Sequence, residues 1–196
     1  MKVLKTISFW LIQCTWGFIM TFIGAIVTLG FIIAGKKPQH IGPVVYIQTG
    51  KSWGGINFGG FFFCSKDLNT NTKYHECGHA IQNMIWGPLF PFVIGLPSLI
   101  RCLLRSNSDH LSKSLFNLYY LLTTLIVTTG LACIAGAWLH IKWLTIVIES
   151  FRLYFLLLSI WMSALEIPKY DKGYVDYDSI WFEGQATKWG NKIFNK

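Results

Sequence analysis

Residues 71–82 decide the fold: they read Asn-Thr-Lys-Tyr-His-Glu-Cys-Gly-His-Ala-Ile-Gln and contain the pattern H-E-x-x-H. Residues four apart on a helix lie one turn above the other, so His75 and His79 present two imidazoles on one face. Glu76 lies one position further round, where its carboxylate reaches a water bound to an ion rather than the ion itself. The Asn and Thr side chains before the motif suit a helix N-terminus, so we expect a helix over residues 72–86.

Two imidazoles one helical turn apart are typical of a zinc site, and a catalytic zinc has a third protein ligand and one position for water. Glu183 is the best candidate for that ligand. Glu183, Ala186 and Gly190 fall near one face of a helix predicted at residues 177–190, and small residues on this face allow close approach to the motif helix. The alternative for Glu183 is a solvated acid near the C-terminus. The other histidines are isolated and more typical of surface positions: His40, His110 and His140.

Two further side chains are candidates for the same site. Gln82 lies three residues after His79, where it either orients a zinc ligand or the substrate, or simply contributes polarity to the helix. Tyr177 is a candidate to stabilise the negatively charged oxygen that forms when a carbonyl is attacked. Cys77 faces away from the two histidines and is not counted as a ligand.

The motif and Glu183 together resemble the gluzincins, zinc metallopeptidases in which H-E-x-x-H supplies two ligands and a Glu on a later helix supplies the third. A closer resemblance is to a family of small bacterial membrane proteins with the pattern H-E-Y-G-H-x-x-Q, then G-P-L-Y…G-x-P-S, then W/Y-x-E-x-x-A. The stretches that carry this resemblance are residues 71–82, 87–88, 94–98 and 181–183.

The chain departs from these patterns at two places that matter. Cys77 replaces the usual Tyr of the bacterial family, at a position that binds no metal. Gln82 and Ile85 stand where metzincins have Gly and His, which excludes that class. The resemblance implies a metallopeptidase-like domain in a bacterial inner or plasma membrane, with Zn²⁺ held by His75, His79 and Glu183.

The composition is typical of a membrane protein, with 53% hydrophobic residues, 13% charged residues and a mean hydropathy of +0.44. Residues 6–35 contain no formal charge, and this run is longer than the roughly 20 residues that a transmembrane helix needs. We predict full transmembrane helices at residues 7–34, 114–140 and 143–166. In the third, Glu149 and Arg152 lie three residues apart and can neutralise each other.

Residues 86–100 are apolar but contain three prolines and two glycines. Proline removes a backbone donor, which lipid cannot replace. Fifteen helical residues also cover only about 22 Å of a hydrocarbon core of about 30 Å. We therefore expect a re-entrant or interfacial segment here, with a straight crossing by residues 77–100 as the alternative.

Residues 44–64 precede the motif helix and are rich in β-branched and aromatic side chains on both sides of a glycine-rich turn at Gly50–Gly54. This pattern predicts a β-hairpin. The edge of the hairpin could accept an extended peptide. Alternatively, its aromatic side chains lie at the lipid headgroups.

These elements predict a single domain over residues 1–196, a mainly α-helical, polytopic integral membrane protein with three spans, one re-entrant segment and a small hairpin. If Glu183 binds the same ion as His75, the chain crosses the membrane an even number of times between residues 80 and 182. Eight Lys and Arg residues in 36–113 and five from Lys169 onward place the site on the cytoplasmic face and the N-terminus outside. The net charge of +8 is explained by orientation and anionic lipid, because no nucleic-acid-binding module is present in the sequence.

The expected activity is hydrolysis of a peptide bond at or near the membrane surface, with Glu76 as general base and a peptide or membrane protein as substrate. The alternative is a non-catalytic metal-binding membrane protein, such as an immunity, accessory or interaction factor. An intact Glu76 argues against it, since a purely structural site needs no base. The five cysteines are scattered through apolar stretches and predict no disulfide framework. No oligomeric state is predicted.

Overall fold

A computed structural model of the chain describes residues 2–50, 53–106, 130, 134, 142–166 and 176–195. The described residues are mainly helical with one small sheet. The elements in chain order are α1 (Lys2–Thr15), α2 (Phe18–Ile33), β1 (Gln39–Ile41), β2 (Val44–Gln48), β3 (Gly55–Phe58), β4 (Phe61–Cys64), α3 (Thr70–Trp86), α4 (Leu96–Ser106), α5 (Lys142–Trp161) and α6 (Trp181–Phe194). Short 3₁₀ turns cover Gly87–Leu89 and Tyr177–Ser179, and short π-helical turns cover Pro91–Gly95 and Met162–Glu166.

The chain divides into two compact units, which are described separately. The first contains residues 1–96 and 176–196, and the second contains residues 97–175. The first unit holds the sheet and every candidate site residue.

The sheet has the strand order β1-β2-β4-β3, with β2 and β4 parallel and the outer pairs antiparallel. The predicted hairpin over residues 44–64 is therefore wrong, because β2 pairs with β4 and not with the strand that follows the Gly50–Gly54 turn. The physical reason for this different strand pairing is a second turn at Gly59, where the backbone φ is 64°. This left-handed conformation suits glycine and folds residues 55–64 into a hairpin of their own, β3 and β4.

The apolar run predicted as one transmembrane helix at 7–34 forms two helices instead. α1 and α2 are bent by 100° at Trp16–Gly17, so the prediction of a single helix is wrong. The side chain of Asn83 on α3 donates a hydrogen bond to the Gly17 carbonyl at 3.0 Å. The same carbonyl accepts from the Thr21 backbone N–H at 3.3 Å, so Asn83 adds a second partner, far away in sequence, that ties the break to α3.

The core of the first unit lies between α1, α3 and the sheet. Its fully or nearly buried members are Phe9, Val44, Tyr46, Phe62, Cys64, Cys77 and Ala80. Next to it, α3 and α6 cross closely at two glycines. A Cβ on Gly78 would lie 1.9 Å from the Ala186 carbonyl oxygen, and a Cβ on Gly190 would lie 1.8 Å from the Tyr74 carbonyl oxygen. The expectation that small residues bring the C-terminal helix against the motif helix is confirmed, but the helix predicted at residues 177–190 is Trp181–Phe194, with Tyr177–Ser179 in a separate 3₁₀ turn.

No single helix among the described residues has both the length and the hydropathy expected of a membrane span. Two consecutive helical pairs reach these limits only together, and both are bent: α1 with α2, and residues 70–89 with 91–102 at an angle of 118°. The second bend rules out a straight helical crossing by residues 77–100. The re-entrant course of residues 86–100 stays a prediction, and the predicted span at 114–140 lies outside the described residues except at 130 and 134.

In the second unit, Arg101 of α4 and Glu166 form an ion pair in which both side chains are fully buried. α5 and the π-helical turn after it make residues 142–166 helical, but α5 does not by itself reach the limits of a membrane span, so the full transmembrane helix predicted at 143–166 is not confirmed. Glu149 and Arg152 form the expected ion pair, with 3.0 Å between the carboxylate Oε2 and the guanidinium Nε. Each partner is nearly half exposed.

Candidate metal centre

The motif lies in the buried middle of α3, which begins and ends where the sequence indicates. The Asn69 side chain accepts a hydrogen bond from the Thr72 backbone N–H at 2.8 Å and caps the N-terminus. At the other end, Gly87 adopts φ of 51°, a conformation that favours glycine after a helix. The predicted helix over residues 72–86 is confirmed as Thr70–Trp86.

The structure brings the three predicted ligands together. The Nε2 atoms of His75 and His79 lie 3.1 Å apart, and each lies 3.2 Å from Oε2 of Glu183. Ligand atoms about 2.05 Å from one tetrahedral zinc ion are separated by about 3.3 Å. The spacing therefore fits a single ion, and these three buried side chains could hold one.

Gln82 fixes the orientation of His79. Its Oε1 lies 2.7 Å from Nδ1 of His79, while its Nε2 donates to the Phe182 carbonyl and to Gln185 Oε1 on α6. Because the amide N–H groups are directed at α6, Oε1 accepts a hydrogen bond from His79, which carries its proton on Nδ1. The lone pair of Nε2 is then directed at the shared point.

Thr187 orients His75 in the same way that Gln82 orients His79. Its Oγ1 lies 2.7 Å from Nδ1 of His75 and donates its single proton to Oδ1 of Asp178 at 2.9 Å. The hydroxyl oxygen therefore accepts from His75 Nδ1–H, and the Nε2 lone pair faces the same point as that of His79. The sequence patterns did not identify Thr187 or Asp178 as part of the site. Helical spacing could have found Thr187, one turn after Glu183, whereas no pattern indicates Asp178 in the preceding turn.

The charge balance of the cluster requires a cation. Glu183 is fully buried, and with both histidine protons on Nδ1 its carboxylate faces two nitrogen lone pairs. A proton or a metal ion bound at Nε2 would balance the buried negative charge of Glu183 and separate it from the two lone pairs. Burial raises the pKa of Glu183, but hydrogen bonds and positive charge from His75 and His79 outweigh burial and hold the pKa well below its usual range.

The contact with Glu183 raises the pKa of His79. Burial lowers the pKa of its imidazole, but the hydrogen bond and charge of Glu183, with the charge of Glu76, raise that pKa to about 9. In the absence of a metal, a proton therefore binds this site at neutral pH. A metal ion competes for the same nitrogen.

Glu76 lies beside the three candidate ligands and packs against β3. Its backbone carbonyl accepts a hydrogen bond from the Asn57 side chain at 3.0 Å. A Cβ on Gly55 would lie 2.6 Å from Oε1 of Glu76, so the carboxylate occupies space that only glycine leaves free. Burial raises the pKa of Glu76, and the neighbouring His79 and His75 lower it by less. A carboxylate with a raised pKa suits a general base.

Tyr177 lies next to the cluster, with its ring centroid 5.6 Å from that of His75. Of the histidines set aside as isolated, His40 is exposed on β1, and His110 and His140 lie outside the described residues.

No protein-family model, curated protein or solved structure matches the chain. The resemblance to gluzincins and to the small bacterial membrane family therefore stays a prediction.

Proposed function

We propose that the protein is a membrane-embedded zinc metallopeptidase that hydrolyses a peptide bond at or near the membrane surface. The observation that carries the proposal is the triangle formed by two Nε2 atoms and one carboxylate oxygen, 3.1–3.2 Å apart, with a buried glutamate beside it. His75, His79 and Glu183 would hold Zn²⁺ and leave a position for water, which is the ligand set of a catalytic rather than a structural zinc.

The chemistry divides between the ion and the residues around it. When bound, Zn²⁺ lowers the pKa of its water to about 7 and polarises a carbonyl. Glu76 accepts the proton of that water and delivers it to the departing amine. Gln82 and Thr187 keep both imidazoles aimed at the ion. Tyr177 is the candidate to stabilise the negative oxygen of the intermediate.

The membrane location is supported by the apolar composition, and the metal centre constrains how the chain then crosses the bilayer. Because Glu183 contacts His75 and His79, the chain between residues 80 and 182 crosses the bilayer an even number of times. Two crossings within residues 114–166, with a re-entrant segment at 86–100, meet this condition. The excess of Lys and Arg in residues 36–113 and from 169 onward favours a cytoplasmic face for the site.

The activity is tested with Glu76→Gln, which removes the base and leaves the three ligands in place. Purified wild-type protein in detergent should cleave members of a fluorogenic peptide library, and the variant should lose at least about 100-fold in rate while keeping its metal. The matched control is Glu149→Gln, which changes a partly exposed glutamate on α5. Equal cleavage by Glu76→Gln and wild type would instead favour a non-catalytic metal-binding protein.

A further inference from the structure

The bend between α1 and α2 is fixed to α3 by buried polar side chains. Gln13 is fully buried, and its Nε2 donates to the Ala80 carbonyl at 2.9 Å. Its Oε1 accepts from Asn83 at 2.6 Å and from the Thr21 hydroxyl at 2.9 Å. Asn83 also donates to the Gly17 carbonyl at the bend itself. Straightening the two helices would leave these buried groups without partners, which is strongly unfavourable.

Close packing on the inner side of the bend adds to this constraint. A Cβ on Gly17 would lie 2.5 Å from Nδ2 of Asn83, and a Cβ on Gly24 would lie 2.6 Å from the Phe58 carbonyl oxygen. The Trp16 indole N–H donates to the Ile85 carbonyl at the end of α3. The two helices are therefore bent as part of the fold that holds the metal centre.

The outer sides of both helices carry exposed apolar side chains. Nine of the large ones are more than half exposed, and they include Val3, Ile7, Leu11, Phe22, Ile26 and Leu29. They lie on two successive helices with no formal charge between residues 6 and 35. An exposed apolar surface of this extent marks contact with a membrane or with another protein.

Charge and length favour the lipid bilayer as the partner. Lys5 lies in the first turns of α1, and Lys36 and Lys37 follow α2, so basic side chains flank the apolar surface at both ends. Basic side chains in these positions complement anionic lipid headgroups. The 14 and 16 residues of the two helices correspond to about 21 and 24 Å, and each is shorter than a hydrocarbon core of about 30 Å.

We propose that α1 and α2 form a bent wedge that inserts into one leaflet and returns to the face from which it entered. Lys5 and Lys36 then lie on the same face of the membrane as the metal centre. This course replaces the expected external N-terminus, which depended on a single straight helix at 7–34. The wedge depends on the membrane location in the proposed function and not on the peptidase chemistry.

The return to the same face is tested with single cysteines at positions 5, 36 and 66. Cys64 and Cys77 are fully buried and remain, whereas Cys14, Cys102 and Cys133 are replaced by serine. A membrane-impermeant maleimide should label Lys5→Cys, Lys36→Cys and Lys66→Cys from the same side of sealed membrane vesicles. Labelling of positions 5 and 36 from opposite sides would overturn the wedge in favour of a crossing.

Contact with lipid is tested by a separate readout. A fluorescent probe on Ile26→Cys, in vesicles of phosphatidylethanolamine and phosphatidylglycerol, should be quenched by lipids with brominated acyl chains. The same probe on Lys66→Cys, which is exposed beyond β4, should not be quenched. Positions 5, 26 and 66 are exposed and Lys36 is half-buried, so the substitutions remove no fully buried side chain. An unquenched probe at position 26 would overturn the proposal and show that protein covers this surface. Neither readout requires hydrolysis, so failure of the wedge is distinguishable from failure of the proposed activity.

Discussion

The hydroxyl of Thr187 lies 2.7 Å from Nδ1 of His75, and it joins the first imidazole of the candidate metal centre on α3 to a residue of α6. The same helix contributes Glu183, which contacts Nε2 of His75 at 3.2 Å. α6 therefore supplies one candidate ligand and also orients another. The metal centre depends on the contact between the two helices as well as on the H-E-x-x-H motif.

We predict that Thr187→Val lowers zinc affinity by about 10-fold to 100-fold, because the isosteric side chain removes the acceptor for His75 Nδ1–H. Thr187→Ser is the matched control, since it keeps the hydroxyl and should bind zinc like the wild type. Competition with a chromophoric chelator measures both affinities. An affinity for Thr187→Val equal to that of wild type would remove Thr187 from the site.

Gly55→Ala should keep the metal but reduce hydrolysis at least about 10-fold, because the new Cβ displaces the carboxylate of the general base. It would lie 2.6 Å from Oε1 of Glu76. Gly30→Ala is the control, since a Cβ there meets no atom within 4 Å. Zinc content and cleavage rate are measured on the same preparations. Unchanged hydrolysis by Gly55→Ala would contradict the placement of Glu76 beside β3.

Zinc affinity should rise with pH up to about 9. In the metal-free protein the pKa of His79 is raised to about 9, so below that pH zinc must displace a proton, and the logarithm of the affinity rises by about 1 per pH unit. Above pH 9 this contribution disappears, because His79 is already neutral. Isothermal titration between pH 6 and 9.5 checks the prediction. An affinity that levels off near pH 7 would show that Glu183 does not raise the pKa of His79.

Gly190→Ala should destabilise the protein by about 1–3 kcal/mol, the usual cost of overpacking, and lower the zinc content. The added Cβ would lie 1.8 Å from the Tyr74 carbonyl oxygen and push α6 away from α3. Thermal unfolding of the metal-free and zinc-loaded protein measures the change, with Gly30→Ala again as the control. A stable variant with full zinc content would show that the site tolerates separation of the two helices.

Local spacing was sufficient to predict the motif helix and the helix that packs against it. The i,i+4 histidines and the Asn69 cap predicted α3, and the small residues after Glu183 predicted the close approach of α6. The β topology could not be predicted in this way, because the parallel pairing of β2 with β4 depends on the extra turn at Gly59.

The bend between α1 and α2 could not be predicted from the sequence patterns either. It depends on hydrogen bonds between Gln13 and Asn83, which lie 70 residues apart. An apolar run without proline gives no local signal for such a break. Asp178 was missed for a related reason, since its contact with Thr187 depends on how the turn at Tyr177–Ser179 folds back on α6.

The metal content of purified protein tests the central claim most directly. Elemental analysis of wild type, Glu183→Ala and the control Glu149→Ala should give one zinc per chain in the first and third, and about a tenth of that or less in Glu183→Ala. The result follows because Glu183 Oε2 lies 3.2 Å from both histidine Nε2 atoms and completes the three-ligand site. Full zinc retention by Glu183→Ala, or a wild-type protein without zinc, would contradict the account.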